Sequence, residues 1–70
     1  MESLIQSTPY KKTIAWLADY IKTNPSASLD YRYIISVLKQ ENNHYIKCVL
    51  LDYRYLYGSF LAAAKESISL

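Results

Sequence analysis

His44-Tyr45-Ile46-Lys47-Cys48-Val49-Leu50-Leu51-Asp52-Tyr53-Arg54-Tyr55-Leu56-Tyr57-Gly58-Ser59-Phe60-Leu61-Ala62-Ala63-Ala64-Lys65-Glu66 is the stretch on which the fold turns. Ile46, Val49, Tyr53, Leu56, Phe60 and Ala63 recur three and four residues apart, flanked by Leu50, Tyr57 and Ala64. Such spacing puts side chains on one edge of an α-helix. It predicts a single rod over residues 44 to 66, with one apolar seam running for roughly five turns. Ala62-Ala63-Ala64-Lys65 adds helix propensity near its end.

Two further helices precede it. Ser7 or Thr8 can cap the first, and Pro9 suits the first helical position because its missing N–H needs no partner there. Tyr10, Ile14, Leu17 and Ile21 then recur at helical spacing, widened by Trp16 and Tyr20, while Lys11, Lys12, Asp19 and Lys22 take the other side. Pro25 disfavours the α conformation at Asn24, which predicts a helix over residues 9 to 23. Asn24-Pro25-Ser26-Ala27-Ser28 reads as a turn, with Ser28 as the next cap. Tyr31, Ile34, Ile35, Val37 and Leu38 share the apolar face of the second helix, and Glu41-Asn42-Asn43 breaks the pattern and caps the third.

The expected class is therefore all-α: a three-helix bundle, or a helical hairpin plus one helix, that dimerises. One competing reading follows from β-branched and aromatic residues in Tyr33 to Leu38 and Tyr45 to Leu51, which Glu41-Asn42-Asn43 could join as a hairpin. The chain would then be α+β, ordered helix, strand, strand, helix. Strict alternation fails, however: Ile34 and Ile35 are adjacent, and Val49, Leu50 and Leu51 are consecutive.

Seventy residues suffice for one domain, residues 1 to 70, with 1 to 7 and 67 to 70 expected to fray. A chain this short removes only about 60% of its unfolded surface from water, so it benefits from a staple. Cys48 is the only cysteine and His44 the only histidine, which argues against an internal disulfide and against a metal centre. A second protein chain is the staple left. The start of the chain lacks the basic segment and apolar run of a secretory leader, and no stretch approaches the roughly 18 apolar residues that span a bilayer. The expectation is a cytoplasmic protein with no membrane attachment.

Leu29-Asp30-Tyr31-Arg32-Tyr33-Ile34 recurs as Leu51-Asp52-Tyr53-Arg54-Tyr55-Leu56. In both copies the first tyrosine falls on the apolar seam, which directs Arg32, Tyr33, Arg54 and Tyr55 outward or sideways. Arginine and tyrosine dominate interface hot spots and stack on planar partners. The plainer reading is a pair of helix flanks whose long side chains cover apolar surface. A second stripe of Leu51, Tyr55, Gly58 and Ala62 lies on the far side of the rod, where the only glycine makes a shallow spot for another helix to approach. Alternatively the third helix is covered on both sides within its own monomer.

Catalytic chemistry is poorly supplied. His44 reads as a surface or capping residue and Cys48 as a small buried hydrophobe; one glycine cannot build a phosphate loop. No catalytic residue, cofactor site or metal site is assigned, and the chain is not expected to be an enzyme. Two function classes remain. The first is a small regulatory or adaptor module that binds a protein partner or itself through helical faces, using Arg32, Tyr33, Leu51, Arg54, Tyr55, Gly58 and Ala62. The second is a nucleic-acid-binding domain of helix-turn-helix type. The net charge of +2 and the aspartates inside each Arg-Tyr motif weigh against the second.

Overall fold

The computed structural model describes residues 7–69, and among them there is no strand. The architecture is all-α, a small bundle of four helices: α1 (Thr8–Thr23), α2 (Tyr31–Gln40), α3 (His44–Asp52) and α4 (Tyr57–Ile68). A 3-10 turn, Arg54–Leu56, joins α3 to α4. Residues 1 to 6 of the segment expected to fray lie outside the described residues, as does Leu70. The hairpin of strands is overturned: Tyr33 to Leu38 belongs to α2 and Tyr45 to Leu51 to α3.

The expected rod over residues 44 to 66 is also overturned. It breaks at Tyr53, whose backbone leaves the helical region at φ −122° and ψ 43°. Packing accounts for the break. A straight helix of that length extends about 34 Å at 1.5 Å per residue, beyond the reach of a shorter α1. Folded at Tyr53, the two halves both face α1, so Ile46 and Leu50 of α3 and Phe60 and Ala64 of α4 enter one core with Leu17, Ile34 and Leu38. The seam also rotates by about one residue. Leu50 and Ala64 are fully buried, whereas Val49 and Ala63 are only half-buried.

Local chemistry sets the helix ends. In α1, Pro9 follows the first helical residue, and the buried Thr13 hydroxyl donates 2.8 Å to the Pro9 carbonyl. Asn24 closes α1, with its backbone N–H 2.8 Å from the Tyr20 carbonyl. Asp30, not Ser28, caps α2: its carboxylate accepts from the Arg32 N–H at 3.1 Å. Ser28 supports it one step back, its hydroxyl accepting from the Asp30 N–H. At the far end of α2, the Asn42 N–H meets the Lys39 carbonyl and the Asn43 N–H the Leu38 carbonyl. This paired closure needs a left-handed residue, and Asn42 supplies it at φ 56°. Asn43 then caps α3, accepting from the Ile46 N–H at 3.2 Å.

Candidate interaction surface

Tyrosines organise the break between α3 and α4. The last carbonyls of a helix have no helical N–H to accept from. One of them, Leu50 O, accepts a 2.7 Å hydrogen bond from the Tyr31 hydroxyl, and the Tyr57 hydroxyl donates at 2.7 Å to Leu29 O in the preceding loop. The two rings meet edge to face with centroids 5.2 Å apart. Arg54 lies over the Tyr31 ring at 4.9 Å, so the arginine of the second repeat sits on the tyrosine of the first. Tyr53 turns inward and meets Tyr10 edge to face at 4.9 Å, and Tyr10 in turn packs on Phe60. Such contacts add about 0.5–1.5 kcal/mol each beyond area burial.

The hydroxyls in this network hold their protons tightly. Burial, reinforced by the Tyr53 hydroxyl, pushes Tyr10 up to about 12. Tyr57 is likewise pushed up to about 12, by burial first and then by the Asp30 carboxylate. Burial raises Tyr31 as well, against the opposing charge of Arg54. Tyr20 is raised by burial and by the neighbouring Tyr33 hydroxyl.

All seven residues expected to meet a partner are exposed, but on different elements. Arg32 and Tyr33 lie on α2, Leu51 on the last turn of α3, Arg54 and Tyr55 on the 3-10 turn, and Gly58 and Ala62 on α4. The expected single stripe from Leu51 to Ala62 is therefore interrupted by the break. Tyr33 is partly engaged inside the chain by Tyr20, and Arg54 is engaged by Tyr31. Leu51 and Tyr55 are the two most exposed large apolar side chains, at 52% and 75%, followed by Tyr45 and Tyr33 at 48% and 46%. Gly58 has no packing role in the monomer, since a Cβ built there meets nothing within 4 Å.

Beside Leu51, the structure opens a shallow apolar groove of about 590 Å³ between Pro9 and the outer face of α3, lined by His44, Tyr45, Cys48, Val49, Asp52 and Tyr53. Cys48, expected to be buried, is exposed within it. A single unbroken rod hides this groove, because it puts the free face of the helix on the side of Gly58. The signal was present in Tyr45, Cys48 and Asp52, spaced three and four apart and out of phase with the buried Ile46 and Leu50. Lys12 of α1 overhangs the end of this face, 5.1 Å from the centre of the Tyr45 ring.

Among the described residues no three His, Cys, Asp or Glu side chains are placed to share a metal ion, and no helix is long and apolar enough to cross a membrane. Comparison with protein-family models, curated proteins and solved structures returns no match, so the functional reading rests on this geometry.

Proposed function

We propose that the chain is a small regulatory or adaptor module without catalytic activity, which docks a protein partner through the exposed surface of α3 and the 3-10 turn. One observation carries the reading: Leu51 and Tyr55, large apolar side chains, stay in solvent and take no part in the core. Exposed tyrosine and leucine suit an interface, because a tyrosine ring gives large apolar contact area and keeps a polar tip for hydrogen bonding. A phosphate-binding role draws less support, since Lys12 and Arg54 both lie on aromatic rings instead of forming a shared cationic stripe.

Leu51→Lys and Tyr55→Lys test the proposal. Neither side chain is part of the core, so both variants are expected to melt within about 0.5 kcal/mol of the parent. Each is expected to abolish retention of the protein that the immobilised parent chain captures from its own cell extract. Equal retention by parent and variants overturns the reading. Retention of duplex DNA that falls steeply with salt supports the nucleic-acid reading instead.

A further inference from the structure

We propose that one occupant of this surface is a second copy of the chain, docked antiparallel along α3 about a two-fold axis beside Cys48; the inference rests on the docking role proposed above. The exposed positions of α3 are His44, Tyr45, Cys48, Leu51 and Asp52. That set is its own mirror about Cys48. A two-fold axis there places His44 opposite the partner's Asp52, Tyr45 opposite the partner's Leu51, and the two thiols together. A two-fold interface requires this reciprocity, in which each residue meets a complement found on the same surface.

Charge makes the register directional. Lys12 overhangs the end of the face that begins at His44 and Asp52 lies at the other, so antiparallel docking sets each cationic end on an acidic end. The same charges are poorly placed for an isolated helix. The first turn of α3 has no acidic residue and its last turn no basic one, and Asp52 sits at the negative end of the helix dipole. Antiparallel docking brings Asp52 beside the positive end of the partner's α3 and removes that conflict. The shallow groove provides room for an exposed apolar side chain of the other copy, such as Leu51. With only nine residues in α3, the contact is small and the dimer weak, forming as concentration rises.

Sedimentation equilibrium of the reduced chain over a wide concentration range tests this, with charge reversals as the discriminating variants. Both His44→Asp and Asp52→Lys complement the dipole, so each is expected to leave the monomer folded and slightly steadier. Each is nevertheless expected to weaken association about tenfold, because the two-fold axis breaks two pairs at once. Combining them restores opposite charges across the axis, and association returns to within about threefold of the parent. Diamide, which accepts two electrons and two protons as the S–S bond forms, is expected to trap the dimer through Cys48, and Cys48→Ser to abolish trapping. A chain that stays monomeric, association indifferent to the single reversals, or failure of the double reversal to restore it overturns the proposal. Association lost through Gly58→Lys but not Asp52→Lys overturns it in favour of α4. A monomer whose capture of another protein still depends on Leu51 overturns this inference alone and leaves the docking role standing.

Discussion

Tyr31 and Tyr57 differ from the other tyrosines in donating their hydroxyl protons to backbone carbonyls of distant elements, Leu50 O and Leu29 O. Leu50 itself is fully buried, so loss of its donor leaves an acceptor with little access to water. Tyr31→Phe keeps the ring contacts with Tyr57 and Arg54 and removes only that donor. It is expected to destabilise the fold by about 1–2 kcal/mol, measured as a lower urea midpoint at unchanged slope. Asn42 offers a second test at this scale, because its φ of 56° belongs to the region that glycine adopts freely. Asn42→Gly is expected to be neutral or stabilising by a few tenths of a kcal/mol, whereas Asn42→Val is expected to cost about 1–2 kcal/mol in the same titration. Equal effects of glycine and valine would remove the left-handed closure as the device that ends α2.

At the scale of the element, α1 and α2 were legible because local signals coincide with the tertiary answer. Pro9 opens α1, Asn24-Pro25 closes it, and the apolar positions between them face the core. The stretch from His44 onward was legible as helix but not as two helices. Its period continues almost undisturbed through Tyr53, so nothing local marks the break. The contacts that impose it come from elsewhere in the chain: Tyr10 packs on Tyr53, and Tyr31 closes α3 at Leu50. The repeated hexapeptide carries the same lesson. Its first copy places Asp30 at the cap of α2, while its second places Asp52 at the end of α3, so one sequence serves opposite helix termini. Gly58, at the second position of α4, follows from the same absence of local constraint. Its backbone is not left-handed and its missing side chain leaves open space. Gly58→Ala is therefore expected to raise stability by about 0.5 kcal/mol, read as a higher thermal midpoint. A lower midpoint would mean that the glycine is needed for a conformation or contact outside this monomer.

Across the whole molecule, the shortest extent is 18 Å, about two helices deep, so every helix keeps a face toward solvent and the core depends on a few large side chains. Tyrosine supplies much of that bulk, with Tyr10 and Tyr20 buried and Tyr31, Tyr53 and Tyr57 packed against the core. Trp16 stacks on Tyr20 one turn further along α1, and a 3.3 Å hydrogen bond from the Trp16 indole N–H to Glu41 ties α1 to the end of α2. A core built this way carries its own pH limit. Unfolded tyrosines lose their protons near pH 10. In the folded chain, burial holds Tyr10 and Tyr57 neutral up to about 12. Raised folded values mean that the folded state binds the protons more tightly than the unfolded one. Their contribution is therefore complete below pH 10 and is lost progressively as pH climbs from 10 towards 12. The melting temperature is expected to be insensitive to the tyrosines up to pH 10 and to drop above it, with tyrosinate absorbance rising together with the loss of helical circular dichroism. Tyr10→Phe removes one of the two groups and should flatten the decline, although it also forfeits whatever the Tyr10 hydroxyl contributes beside Tyr53. Tyrosinate absorbance that saturates well before the helices melt would show that these rings ionise in place, and burial would then not be what holds their protons.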